Sequence, residues 1–354
     1  MRRRLAVIAG DGIGPEVVSE ALKTLAAVED VFHMGLDVER LPHGADHYLA
    51  TGVTIAPADM KRLGTDFDAI LLGALGDPRV PGNEHARDIL LGMRFQLDLY
   101  VNERPARLIH ERLTPLKGKM PRDLDLVVFR ENTEGLYVSV GGTFKQGTPD
   151  EIAIAEELNT RKGVERIIRH AFAWATEHGK TRVTMADKAN AIQAHHLWRR
   201  VFEEVGREYT GIQRDTRYID AMAMDLVRTP ESFQVIVTGN LFGDILSDLA
   251  SMLVGGLGLA PSANRHPGGV TMYEPVHGSA PPLAGKNVAN PMAVILTLAM
   301  MLTDLGAAQA GRAVEDAVHA AIGAGVGTAD VGGTMGTREV GDWIANRVRE
   351  ARAR

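Results

Sequence analysis

Two aspartates four residues apart, Asp244 and Asp248, interrupt an otherwise apolar run, G-N-L-F-G-D-I-L-S-D-L-A-S-M-L (239–253). On a helix that spacing stacks both carboxylates on one face, beside Leu241, Ile245, Leu249 and Met252. The two charges repel, so something positive must hold them. A hard divalent cation would do so, because Mg²⁺ and Mn²⁺ favour carboxylate oxygens and keep waters that a substrate can replace. A solvated acidic helix face is the plainer alternative for a bare D-x-x-x-D. Asp220, in Y-I-D-A-M-A-M-D (218–225), falls at a strand-to-helix junction and is a candidate third ligand or a helix N-cap.

Positive charge is also available from side chains. Arg94, Arg104 and Arg130 follow or flank predicted strands and helix ends. The planar guanidinium fork suits carboxylates, binding two oxygens at once; an ordinary surface ion pair is the alternative for each. Lys188, in A-D-K-A-N, comes just after a predicted strand, where α/β proteins place functional groups. A lysine close to a metal or to arginines has its charged form disfavoured and can serve as a base. Tyr137, in R-E-N-T-E-G-L-Y, is a candidate acid or a packed aromatic.

These residues need elements to hold them. Strands are expected at 5–9, 68–72, 124–130, 181–185 and 233–238. Helices are expected from Pro15 onward, over 88–98, 160–177, 193–208 and 220–228. The alternation implies a largely parallel sheet covered by helices. Residues 136–158 read as an extended hairpin or arm, and the C-terminal part reads as mostly helical. Met292–Leu302 is far short of the roughly 20 residues that cross a bilayer and reads as a buried core helix. The start M-R-R-R-L-A-V-I-A-G-D imitates a signal peptide, but its apolar run is short and interrupted by Asp11 and Pro15.

Of 354 residues, 45% are hydrophobic and 24% charged, with a net charge of -6, so no basic nucleic-acid-binding face is implied. The absence of cysteine excludes disulfides, thiolate metal sites and cysteine nucleophiles, and fits the cytoplasm. A-G-D-G-I-G-P-E-V lies between a strand and a helix, as a dinucleotide fingerprint would. From Gly10, however, the third glycine position is Pro15, and no ribose-binding acid closes a second strand.

Together the motifs resemble the metal-dependent β-decarboxylating dehydrogenases of (R)-hydroxyacids, which act on 3-isopropylmalate, isocitrate, homoisocitrate and D-malate or tartrate. The segments that carry the resemblance are G-D-G-I-G-P-E-V (10–17), L-D-L-Y-V-N-E-R-P (97–105), F-R-E-N-T-E-G-L-Y (129–137), D-K-A-N (187–190), T-G-N-L-F-G-D-I-L-S-D (238–248), E-P-V-H-G-S-A-P (274–281) and A-G-K-N-V-A-N-P (284–291). They span nearly the whole chain in the family order. The resemblance implies an isopropylmalate dehydrogenase-like two-domain α/β fold, distinct from the ordinary Rossmann fold. Residues 1–102 and 257–354 would form the cofactor-binding domain. Residues 103–256 would form a middle domain with the dimer interface, the arm and the metal ligands.

By position, the resemblance also implies roles. Asp244 and Asp248 of one subunit, with Asp220 of a second copy, would bind Mg²⁺ or Mn²⁺. Arg94, Arg104 and Arg130 would clamp the malate-like part of the substrate. Lys188 of the second copy would take the hydroxyl proton, and Tyr137 would protonate the enol product. His277, Gly278, Ser279, Ala280 and Asn290, with Asp330, would hold the dinucleotide. A homodimer with shared active sites and a small hydroxyacid substrate follow; neither nucleic acid nor membrane is a partner. Some members of the superfamily are non-catalytic regulatory subunits. Such a chain would tolerate loss of the base, the acid or a ligand, whereas this one keeps Lys188, Tyr137, Asp220, Asp244 and Asp248.

Leu90 and Leu91 lie four and three residues before Arg94, on its helical face, where family members contact the variable C3 group. Two leucines suit an isopropyl group, whose burial is worth about 2 kcal/mol. Arg87 stands where isopropylmalate dehydrogenases usually carry Glu. G-G-T-F (141–144), T-P-D-E-I-A-I-A-E-E and V-G-G-T-M-G-T-R-E-V-G also resemble D-malate/tartrate dehydrogenases. Pro282 occupies the position of the Asp that binds the ribose diol in NAD-specific relatives. No receptor for a 2′-phosphate is evident either, which favours NAD.

Overall fold

The fold, obtained as a computed structural model, describes residues 3–351. Met1 and Arg2, part of the basic start noted above, lie outside the described residues. The chain divides into two compact units: Met1–Leu99, Arg107–Pro121 and Ser251–Arg354 form one, and Tyr100–Ala106 with Arg122–Ala250 form the other.

In the first unit the strand order is Asp37–Leu41, Arg4–Gly10, Ala69–Ala74, Thr271–Pro275, Pro261–Arg265. All pairs are parallel except the last, Pro261–Arg265 against Thr271–Pro275. Side chains alternate across the sheet. Leu5, Val7, Ala69 and Leu71 join a core built on the helices Gly14–Phe32, Met292–Asp304, Ala308–Gly323 and Thr337–Glu350. Ala6, Ile8, Ile70 and Leu72 face a second core containing Met60, Ile89 and Met93. The helix Met292–Asp304 is buried on almost every side, as its unbroken apolar run requires.

The glycine loop departs from a phosphate cradle for a visible reason. Gly10 and Gly12 adopt φ of +75° and +58°, and a Cβ on either would come within 2.0 Å of the carbonyl oxygens of Ala74 and Ser279 respectively. The Ile13 N–H donates to Ser279 O at 2.8 Å. The glycines therefore admit close approach of the protein's own backbone.

In the second unit the order is Val101–Arg107, Asp125–Glu131, Val235–Thr238, Arg182–Asp187, Gln213–Tyr218. The last four strands run parallel. Val127, Phe129, Val183, Met185, Val235 and Val237 face helices Arg161–Glu177 and His195–Gly206. Thr160 caps the first of these, its side chain accepting from Gly163 N–H. Helix Asn240–Leu253 carries the aspartate pair. Residues 141–155 form an antiparallel hairpin, Gly141–Phe144 with Ile152–Ala155, whose residues are all exposed.

Candidate active site

The second unit gathers most of the charged residues singled out by their spacing. Arg130 ends the run Val128–Phe129–Arg130 and, one residue beyond the core-facing Phe129, turns to the opposite face of the strand. There helix Asn240–Leu253 lies directly over it. A Cβ at Gly243 would meet Arg130 Cβ at 2.5 Å, so only glycine permits this approach. Arg130 is 1% exposed. It donates from Nε to Asn240 Oδ1 at 2.9 Å and from Nη1 to Asp244 Oδ1 at 2.5 Å. Tyr137 stacks under its guanidinium, 5.2 Å from the ring centroid, and donates its hydroxyl to Asp244 Oδ2 at 2.9 Å.

Arg104, also buried, completes the charge balance. Its Nη1 donates to Ser247 Oγ at 2.8 Å and lies 3.2 Å from both Asp244 Oδ1 and Asp248 Oδ1. The repulsion between the aspartates is thus offset by two guanidinium groups held beneath the helix. Burial pushes the Asp248 carboxyl above its usual range; Arg104 opposes this and Asp244 adds to it. A carboxylate whose charge is disfavoured gains by meeting a cation, and the two form an all-oxygen donor set of the kind hard divalent ions prefer. Among the described residues, no cluster of three His, Cys, Asp or Glu side chains suited to a metal occurs within one chain.

Asp220 pairs elsewhere. It sits in the first turn of helix Ile219–Arg228, where Tyr218 takes the N-cap position, so the N-cap alternative does not hold. Lys188 Nζ lies 2.8 Å from Asp220 Oδ1, and this bond holds the Asp220 carboxyl below its usual range. Lys188 follows strand Arg182–Asp187, as its sequence position indicated.

In the first unit, Arg94 is 4% exposed and donates to Glu274 Oε1 at 2.9 Å. Its Nε is buried without a hydrogen-bond partner. Leu90 and Leu91 are half-buried on the same helix, Glu84–Gln96, and Leu90 packs against the core. Arg87 is exposed beside Asp88, 3.5 Å away. The loop His277–Ala280 includes a histidine whose Nδ1 donates to Gly278 O at 3.1 Å while Nε2 is buried and unpartnered. Burial pushes this imidazole below its ordinary value. Nothing lies within 4 Å of a Cβ built on Gly278. The unpartnered ring nitrogen and the open Cβ position of the neighbouring Gly278 leave this loop chemically suited to a polar ligand such as a dinucleotide. Asn290 Nδ2 donates to Asp330 Oδ2 at 3.0 Å, which joins two more of the expected cofactor residues. Pro282 lies in the short helical turn Pro281–Leu283.

Asn240 and Ser247 escaped the sequence reading, although Ser247 stands three residues from Asp244 and so on its face. His195, which accepts from the Lys188 N–H, and Glu157, which meets His195, carried no spacing signal at all.

The fold and these constellations are those of a dehydrogenase scaffold, and the chain belongs to the isocitrate/isopropylmalate dehydrogenase family, whose model matches residues 4–344. Within that family its relatives include the 3-isopropylmalate dehydrogenase of Thermobifida fusca, 46% identical over 350 residues that cover 98% of each chain. That of Streptomyces coelicolor is 45% identical, covering 97% of this chain and 98% of the relative. Among solved structures, isocitrate dehydrogenase from Methylococcus capsulatus is similar with a TM-score of 0.87 at 36% identity, over 98% of this chain and 99% of that one. The family implies a nicotinamide dinucleotide and a divalent metal.

Proposed function

We propose that this protein oxidatively decarboxylates 3-isopropylmalate to 4-methyl-2-oxopentanoate, with NAD and Mg²⁺ or Mn²⁺, as a step of leucine biosynthesis. The observation that carries it is similarity over nearly the full length to relatives named 3-isopropylmalate dehydrogenase, at 44 to 46% identity. Leu90 and Leu91 supply an apolar surface suited to the isopropyl group. The unit holding both chain ends is assigned to the cofactor and the other to the dimer contacts. A cytoplasmic location fits a chain without cysteine.

In this scheme Asp244 and Asp248 hold the cation, completed by Asp220 of a second copy. His277, Gly278, Ser279, Ala280, Asn290 and Asp330 hold the dinucleotide. When bound, the cation supplies Lewis acidity toward negative charge on the substrate's carbinol oxygen, and the nicotinamide supplies a hydride acceptor. Lys188 takes the proton from the C2 hydroxyl as the hydride leaves C2, giving a 3-carboxy-2-ketone. That β-keto acid loses CO₂, and the electrons of the broken C–C bond pass into the enol system. Tyr137 returns a proton to the carbon that lost CO₂. Its hydroxyl is already oriented by Asp244 at 2.9 Å. Arg104 and Arg130 hold substrate carboxylates, and both are fixed by helix Asn240–Leu253 before substrate arrives, which limits the ordering cost. Arg94 is assigned to the same carboxylates by family resemblance.

A second copy is also supported by surface character. Helix Ile219–Arg228 leaves Met224 66% and Val227 46% exposed, and helix Asn240–Leu253 leaves Ile245 53% and Met252 55% exposed.

The test is a specificity panel: 3-isopropylmalate, D-malate, tartrate, isocitrate and homoisocitrate, each with NAD⁺ or NADP⁺ and Mg²⁺ or Mn²⁺. The expected outcome is the highest kcat/KM for 3-isopropylmalate with NAD⁺. A higher value for D-malate replaces the substrate assignment; no turnover with any acid removes the enzyme assignment.

A further inference from the structure

Resting on the base role given to Lys188, we infer that His195 is a positioning residue for that lysine, holding its main chain through a tautomer that Glu157 fixes. His195 opens helix His195–Gly206 and is 4% exposed. The Lys188 N–H donates to His195 Nδ1 at 2.8 Å, so Nδ1 must carry a lone pair. The ring proton then sits on Nε2, which faces Glu157 Oε1 at 2.8 Å. Glu157 is itself held: it accepts from Asn159 Nδ2 at 3.0 Å, and Asn159 Oδ1 accepts from Trp198 Nε1 at 2.8 Å. The bond to His195 keeps the Glu157 carboxyl below its usual range, so the acceptor is present at neutral pH. Phe242 meets the imidazole edge-on, 5.4 Å between centroids, which leaves the ring little freedom to turn.

The other side of Lys188 is pinned as well. Asp187 is 1% exposed, accepts from the Ala189 N–H at 2.8 Å and receives Arg199 Nε at 2.7 Å. The Lys188 carbonyl accepts from Ala191 and Ile192 N–H groups at 2.9 and 2.8 Å. The peptide N–H of Lys188 has His195 as its acceptor, and that bond sets where the side chain departs from the loop. Beside it lies a cavity of about 150 Å³, bordered by Gly135, Leu136, Glu157, Ile192, His195 and Leu241. The loop therefore has room to shift if the bond is lost. Misplacing a proton-transfer group by even 1 Å can cost on the order of 100-fold in rate.

The experiment compares His195→Leu, His195→Asn and His195→Gln in the full-length protein. Asparagine places an amide oxygen where Nδ1 was and can still accept from the Lys188 N–H; glutamine reaches only the Nε2 position. His195→Leu and His195→Gln are expected to lose at least about 10-fold in kcat with KM for the hydroxyacid within about threefold, and to alter the pH profile of kcat. His195→Asn is expected to recover most of kcat. Equal kcat for His195→Leu and the parent overturns the inference, as does equal loss in all three variants in step with their melting temperatures. A parent enzyme without turnover defeats the functional assignment instead. The inference then stands or falls on amide hydrogen exchange at Lys188, which must quicken in His195→Leu and stay protected in His195→Asn.

Discussion

At the scale of single residues, i, i+4 spacing puts Asp244 and Asp248 on one helix face, and the guanidinium groups of Arg104 and Arg130 offset their repulsion. Arg130 and Asp244 lie 114 residues apart in the chain, and only the fold brings them to 2.5 Å. The arginines could be chosen by type, since carboxylate chemistry needs a guanidinium fork, but their partners could not be read. Asp248 carries a testable consequence. Its folded carboxyl titrates above the unfolded one, so its ionisation costs stability at neutral pH, and the cost is relieved as pH falls through the raised value. Half-exposure keeps that cost small. A bound cation should remove it, and ligand binding at 100 times Kd adds about 2.7 kcal/mol. The parent's melting temperature should therefore rise on addition of Mn²⁺, while Asp248→Asn should show little response and no turnover. An equal rise in both, by calorimetry, would show that this pair does not bind the ion.

Elements were readable in proportion to how purely apolar they are. Strand Ala69–Ala74 and helix Met292–Asp304 announce themselves. Strand Val101–Arg107 does not, because it buries Asn102, Glu103 and Arg104 and contains Pro105, so function overwrites its hydrophobic pattern. The outer strands Asp37–Leu41 and Gln213–Tyr218 are polar and part-exposed, as sheet edges tend to be, and give no alternation to find. The expectation of a mostly helical C-terminal part missed the antiparallel pair at 261–275, whose short strands contain only a few apolar residues. One helix-to-strand contact makes a sharp prediction. Gly→Ala inside a helix normally stabilises by up to about 1 kcal/mol. At Gly243 the new methyl would strike Arg130 Cβ and Cγ at 2.5 and 2.6 Å, close to the backbone and slow to yield. Gly243→Ala should instead lose about 1–3 kcal/mol by overpacking, read from the urea midpoint, together with activity. A midpoint equal to or above the parent's would mean that the arginine moves aside without cost.

For the whole molecule, composition sets only outer bounds, and the glycine loop imitates the ordinary dinucleotide fingerprint except that Pro15 takes the place of its third glycine. Recognition required all the motifs in order, since each alone has common structural explanations. The arrangement of Asp244 and Asp248 away from the Lys188–Asp220 pair gives the assembly hypothesis a stringent test. If each site takes its base from the other copy, Lys188→Ala and Asp248→Ala chains, both inactive alone, should complement when co-expressed. Random pairing then restores about a quarter of parental activity, because half the dimers are mixed and each has one intact site. No restoration would place the whole site within one chain. The hairpin at 141–155 extends this to dilution. A lone two-stranded ribbon is marginally stable in water, and this one presents Phe144, Ile152 and Ile154 at 63%, 48% and 55% exposure. Its tip should therefore be the first place a protease enters. Trypsin cutting after Lys145 should be quick at nanomolar chain concentration and slow at micromolar, so one gel band would report how much of the protein has a neighbour.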